Sequence, residues 1–271
     1  MRALTLVILT MTLAPLVAPL VGGLLVQSGW RVIFLLLMLL GALLWLTLAW
    51  RIPETLKPEL RQSLNLRSIF HNYGRVLVHK RAMGSLLAGT FASAGMFAFI
   101  SGSPYVYIDY FGVPAQHYGW LFGLNVLLLM AMTWVNGRLV KRVGLLRMLR
   151  LGLLLATFAG IAMVCNAATG WGGLWGIVVP VVLYVGQMGL IGANATSHAL
   201  SFFPANAGTA SALAGTLRFG AGALAGVAVN MMPATSPLPM AMMMTLGIVL
   251  ALLTHLCWGR HAALSAESGQ R

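Results

Sequence analysis

The 271 residues are 59% hydrophobic and only 8% charged, whereas soluble domains are roughly one-quarter charged. Seventeen Lys and Arg against four Asp and Glu give a formal net charge of +13, which on one polar folded face would suggest nucleic acid. The bases lie instead in connections between apolar runs, so the expected partner is the lipid bilayer and not nucleic acid, with basic loops held at an anionic membrane surface.

Taking about 20 apolar residues as one bilayer crossing, the sequence predicts eight membrane helices, at 3–26, 32–50, 82–106, 118–137, 151–168, 173–198, 207–230 and 240–258. The expected fold class is all-α, a polytopic membrane helix bundle. No run alternates polar and apolar residues as the strands of an outer-membrane barrel would. The first run is expected to stay uncleaved: it outlasts a signal-peptide core of about 7 to 15 residues, and a cut after Ala18 would leave Pro19 at the new terminus. Within it stands APLVAPLVGG, residues 14–23. Ala14, Ala18 and Gly22 recur every four residues and share one helix face, while Pro15 and Pro19 remove two backbone donors and bend the helix; Gly23 completes a glycine pair. A generic small-residue packing face accounts for the same spacing.

The connections set the expected orientation. Residues 51–81 hold seven Lys and Arg and residues 138–150 hold five, whereas the opposite connections hold only Arg31. The basic connections are therefore expected in the cytoplasm, with both termini. Trp30, Tyr105, Tyr107, Tyr118, Trp120, Trp171 and Trp175 fit an outer aromatic belt, and Trp50 and Trp258 an inner one. The long basic loop 51–81 divides the chain into two spans, 1–50, and six spans, 82–258, followed by a tail, 259–271. A six-helix block after a long loop is what one half of a two-fold transporter looks like, and AGTLRFGAGALAG at 214–226 loosely matches the first span at a period of six helices.

Neither a Walker glycine loop nor HExxH nor GxSxG occurs, so no enzyme chemistry is expected, nor any catalytic residue, and an ion gradient is the remaining energy source. Cys165 and Cys257 have no metal or redox spacing and are expected as buried small hydrophobes. The four acids miss the membrane interior: Glu54 and Glu59 lie in the long loop, Asp109 at a helix end and Glu267 in the tail. Arg218 does not miss it. Eleven residues into its span, at 1.5 Å each, it lies about 16 Å deep, where a cation is costly and marks either a substrate path or a structural cation bonding backbone carbonyls. Asn125, Gln187 and Tyr184 also fall within spans, and serve either a loosely selective apolar cavity or helix-to-helix hydrogen bonds. His198 and His255 lie near helix ends at the basic side, where packing or interface anchoring suffices, and Met240 and Met242 to Met244 read as packing.

Several stretches together resemble one family. APLVAPLVGG is similar to the antiporter motif of major facilitator drug exporters, G-x-x-x-G-P-x-x-G-G, with alanine at the first two glycines. RIPETL at 51–56, SPYVYIDYFGVPAQHYGWLFGLN at 103–125 and GTASALAGTLRFGAGALAG at 208–226 resemble the sixth, seventh to eighth and eleventh helices of the bicyclomycin and chloramphenicol resistance branch. The resemblance implies a major facilitator fold, export of small apolar drugs against protons, a proton gradient as energy source and no cofactor or metal. It also implies that these eight spans correspond to helices 5 to 12 of twelve, so that residues 1–50 would be the last two helices of an N-terminal half and the first four helices would be lacking. GRLVKRVGLLR at 137–147 resembles the family's loop motif G-x-x-x-D-R-x-G-R-R: Gly137, Arg142, Gly144 and Arg147 match, Arg138 adds a base, and Lys141 stands at the aspartate. A loop kept basic for topology explains that stretch equally. Two readings compete, a drug:proton antiporter and an eight-helix membrane protein or relic that transports nothing. Rocking of two halves about a midplane site needs both halves, which favours the second for an isolated two-plus-six chain.

Overall fold

A computed structural model describes residues 21–22, 25, 28–51, 66–233 and 235–268. They are helical, joined by short turns. In chain order the helices are α1 (Trp30–Arg51), α2 (Leu66–Val78), α3 (Lys80–Pro104), α4 (Ala115–Val143), α5 (Leu145–Thr169), α6 (Gly173–Gly186), α7 (Met188–Leu200), α8 (Ala207–Met231) and α9 (Leu238–Ser268). Seven stretches among the described residues are long and apolar enough to cross a bilayer, with α6 and α7 forming one of them and α3 extending to Tyr110. They coincide with seven of the eight expected spans; the eighth, 3–26, lies almost wholly outside the described residues.

The chain forms two compact units, residues 1–69 and 70–271. In the first, α1 has no buried residue, and its exposed Phe34, Leu37, Leu40, Leu44 and Leu48 suit a helix sided by lipid. Inside the connection 51–81 the structure adds the helix α2. It is amphipathic, with Val76 fully buried against Ala82, Leu86 and Ala199 and with Arg75 exposed.

In the second unit α3 is the hub, packed on α7, α8 and α9, while α5 packs on α6, α7 and α9, and α4 on α6 and α7. The reason lies in small residues: Gly84, Ala88, Gly89, Ala92, Gly95, Ala98 and Gly102 are buried along α3, and without side chains in the way neighbouring backbones come close. At Gly95 a Cβ would run into the Tyr184 hydroxyl and sit 2.9 Å from the Met244 carbonyl oxygen; at Gly247 it would sit 2.7 Å from the Phe91 carbonyl oxygen. Helices α3 and α9 thus cross backbone to backbone. The core holds Phe99, Leu149, Leu153, Met163, Ile177, Met240, Met244 and Ile248.

Several helices outlast the apolar runs. Past Pro104, α3 continues as a π-helical turn, Tyr105–Tyr110, in which the Phe111 N–H donates to the Val106 carbonyl at 3.2 Å. Helix α4 runs on to Val143, so Arg138, Lys141 and Arg142 belong to its last turns, where cations meet the negative end of the helix dipole. Gly144, at φ +90°, is the whole connection to α5.

Three expectations change. Tyr107 is no belt residue: it is fully buried, its ring 6.1 Å from Tyr118 and 6.4 Å from Phe99, because the π turn rotates it inward. Tyr118 is half-buried and its hydroxyl bonds to Ser103 Oγ at 2.8 Å. Cys165 and Cys257 are exposed, not buried. A face turned to lipid is as apolar an environment as the core, so burial exerts no pull on a thiol. Trp30, Trp50, Trp120, Trp171 and Trp175 are exposed as belt residues should be.

Candidate functional site

Arg218 is the charge that the membrane interior has to accommodate. It rises from α8 half-buried, and its Nη2 donates to Thr196 Oγ1 at 2.7 Å and to the Gly192 carbonyl at 3.0 Å, both on α7. Thr196 Oγ1 donates in turn to the same Gly192 carbonyl at 2.9 Å. The guanidinium lies across α3 at Gly89, where a Cβ would come within 2.9 Å of Nη2. Three helices therefore meet on one cation. A Gly carbonyl, a Thr hydroxyl four residues on and a glycine on the facing helix are what a guanidinium needs to be solvated by protein instead of water. Among the described residues no carboxylate pairs with Arg218; its charge is spread over neutral acceptors.

Tyr184, Gln187 and Asn125 lie around the junction of α6 and α7. Tyr184 is fully buried, and its hydroxyl points at the Met244 carbonyl at 3.1 Å and the Ala92 carbonyl at 3.5 Å, tying α6 to α9 and α3. Three residues on, Gln187 interrupts the helix: its N–H turns back to the Tyr184 carbonyl, and its own carbonyl accepts from Leu190 and Ile191. Its side-chain Oε1 is buried without a hydrogen-bond partner. Helix α4 packs on this break, for a Cβ at Gly186 would strike Leu128 at 2.6 Å and one at Gly189 would strike Thr133 at 2.6 Å. One turn before Leu128, Asn125 is buried; its Nδ2 donates to the Leu121 carbonyl at 3.0 Å and its Oδ1 is without a partner. Thr90 Oγ1, next to Gly89 on α3, and the Tyr107 hydroxyl share that condition. No hydrogen bond joins Arg218 to Asn125, Gln187 or Tyr184. The structure holds them as neighbours in one bundle, not as one constellation.

Other polar groups bond from helix to helix, and the sequence reading passed them over. Asn194 of α7 donates to Asn136 Oδ1 of α4 at 2.7 Å, both buried. Pro180 inside α6 has no N–H for the Gly176 carbonyl four residues back, and Asn166 of α5 supplies the missing donor at 2.8 Å. A proline followed back by four residues was the signal available for that carbonyl; nothing in one dimension pointed to Asn166.

The two motif stretches stand differently. Of the antiporter-motif helix, Ala14, Pro15, Ala18, Pro19 and Gly23 lie outside the described residues, and Gly22 is helical with nothing within 4 Å of where its Cβ would stand. In the loop motif, Gly137 and Arg142 sit on α4, Gly144 forms the break and Arg147 opens α5. Arg138 lies over the Trp134 ring, 3.4 Å from its centre, which holds that base at the helix surface.

This bundle, with short turns, a glycine-rich hub helix and one deep cation, matches a family model described as Major Facilitator Superfamily over residues 1–226. The chain belongs to the Major Facilitator Superfamily. It is 33% identical over 255 residues to the Bicyclomycin resistance protein homolog of Haemophilus influenzae, a match covering 94% of this chain and 64% of that protein. With Multidrug resistance protein D of Escherichia coli it shares 31% identity over 262 residues, 95% of this chain and 63% of the relative. The Multidrug transporter MdfA of Edwardsiella piscicida is 32% identical over 213 residues, 76% of this chain and 50% of the relative. The chain thus spans between half and two thirds of the length of these relatives. It is a multi-pass membrane protein of a transporter superfamily.

Proposed function

We propose that this protein serves multidrug efflux as a secondary transporter, exchanging small apolar drugs for protons in the manner of the bicyclomycin resistance proteins. The observation that carries the reading is the 33% identity to a bicyclomycin resistance protein homolog across 94% of the chain, which leaves too little unmatched to omit any one of the seven described spans. Relatives named for drug resistance favour the exporter over a helix bundle that transports nothing. In this reading residues 1–50 supply the last two helices of one half, 51–81 a cytoplasmic connection, 82–258 the six-helix second half, and 259–271 a cytoplasmic tail. The seven bases of the connection 51–81 and the five at 138–150 support an orientation with that side and both termini in the cytoplasm, and the bacterial relatives support an inner membrane. A proton gradient drives exchange and no cofactor or metal takes part.

Within the six-helix half, Arg218, Asn125 and Gln187 line the substrate path, and Tyr184, three residues before Gln187, anchors that span to α3 and α9. The buried Asn125 and Gln187 oxygens, each without a partner, accept hydrogen bonds from substrate hydroxyls or amides. An efflux-deficient host producing the chain joined to the first four helices of a full-length relative is expected to tolerate more bicyclomycin or chloramphenicol, an effect abolished by a protonophore and by Arg218→Gln at unchanged protein level in the membrane. Unchanged susceptibility with the joined chain present in the membrane would overturn the exporter reading, and full resistance from Arg218→Gln would remove that residue from the path.

A further inference from the structure

At the basic end of the second unit a small cavity of about 100 Å³ opens between α3, α5, α7 and α9, lined by Arg81, Ser85, Leu146, His198, His255 and Trp258. Its charge is one-sided. Arg81 brings a fixed cation to its wall, while no carboxylate lines the cavity among the described residues. Its donors are also partly free. Ser85 Oγ and His198 Nδ1 are 2.7 Å apart; with the hydroxyl donating, the remaining ring N–H of His198 is left to point elsewhere. His255 is buried to 6% exposure and its ring makes no hydrogen bond among the described residues. The cavity volume, roughly three waters at about 30 Å³ each, is enough for one tetrahedral anion.

The surroundings choose between a dissolved anion and a lipid. Leu146 lines the cavity and is itself exposed, and from it an exposed apolar stripe climbs one face of α5 through Leu151, Leu154, Leu155, Phe158 and Ile161. Leu151, Leu154, Leu155, Phe158 and Ile161 fall on one helix face, and Leu146 lies about a third of a turn round at the cavity end, so an exposed apolar surface rises from beside the basic cavity toward the bilayer centre. Trp258, at the end of the last described span, sits where an aromatic marks the headgroup level. Basic pockets between membrane helices at the cytoplasmic side are lipid-headgroup sites by the same electrostatics.

We propose that the cavity between Arg81, Ser85, His198 and His255 holds the phosphate of an anionic phospholipid, whose acyl chains lie along the α5 stripe. The site rests on the proposed orientation only for which leaflet supplies the lipid; a detergent-solubilised measurement does not depend on that orientation or on transport, so its outcome bears on the site alone. The experiment is a thermal melt and native mass spectrometry of the full chain, purified in an uncharged detergent, with added phosphatidylglycerol, phosphatidylcholine or inorganic phosphate. Phosphatidylglycerol is expected to raise the melting temperature by several degrees and to persist as a one-to-one adduct, with phosphatidylcholine and inorganic phosphate doing neither. Arg81→Gln is expected to weaken phosphatidylglycerol binding at least tenfold and Lys141→Gln, at the same end but outside the cavity, to leave it unchanged. Where Arg81→Gln lowers the yield, His255→Leu carries the same comparison. Equal binding by the cavity variants and the parent would overturn the site, as would binding lost equally in Lys141→Gln. An Arg81-dependent shift with inorganic phosphate as large as with phosphatidylglycerol would overturn the lipid as occupant.

Discussion

Tyr184 and Gln187 are three residues apart on one membrane span, and the bundle treats them in opposite ways. The Tyr184 hydroxyl is met by two carbonyls from two other helices, in a corner where α3 and α9 touch backbone to backbone at Gly95 and Gly247. Gln187 sits at the break between α6 and α7 with its Oε1 buried and unmet, on the side where α4 brings an equally unmet Asn125 oxygen. The first is scaffold: every polar atom is spent on holding helices. The second keeps acceptors in reserve, which costs folding energy and returns nothing to the fold. That difference separates a group spent on the bundle from groups whose acceptors the bundle leaves unmet.

Breaking the scaffold has the largest expected effect. Gly95→Ala places a methyl against the Tyr184 hydroxyl and 2.9 Å from the Met244 carbonyl oxygen, and forcing the helices apart is expected to destabilise by about 3 kcal/mol. A thermal melt in detergent reads this as a lower midpoint, and adding Tyr184→Phe is expected to restore part of the loss, because the closest contact, with the hydroxyl, goes. Next comes the carbonyl left by Pro180. Asn166→Ala removes its donor and is expected to cost about 2 kcal/mol, whereas in a Pro180→Ala background, where the helix regains its own N–H, the same substitution is expected to cost much less. Equal losses in both backgrounds would mean that Asn166 supports the helix in another way.

The smallest effects sharpen the comparison itself. Tyr184→Phe is expected to cost about 1 kcal/mol and to leave the pattern of drug resistance unchanged, since its hydroxyl faces only helices. Gln187→Leu is expected to do the reverse: no loss of melting temperature, because replacing an unmet buried amide by an apolar side chain removes a desolvation penalty, but a changed resistance profile in the susceptibility assay. Loss of stability in Gln187→Leu with an unchanged profile would place Gln187 with the scaffold.

What was readable in the sequence was what each segment does alone with lipid and water. Seven of the spans and their order follow from apolar length, because insertion of a helix into hydrocarbon is a nearly one-dimensional matter of about 20 residues. Arg218 stood out for the same reason: a charge at depth is costly wherever the neighbours are. The sequence mistook Tyr107 for a belt residue and Cys165 and Cys257 for core, since lipid and core are equally apolar and composition does not tell one face from the other. It also missed that a helix, α2, lies within the basic connection.

Only the tertiary structure decided what meets what. That Arg218 bonds Thr196 and Gly192 over Gly89, that Asn166 replaces the donor Pro180 lacks, and that two histidines and Arg81 share one cavity depend on which helix faces are turned together. Those choices rest on close packing of small residues and on hydrogen bonds between segments far apart in the chain. Hydropathy along the sequence holds the number and order of the helices; the faces they present to one another exist only once the bundle has closed.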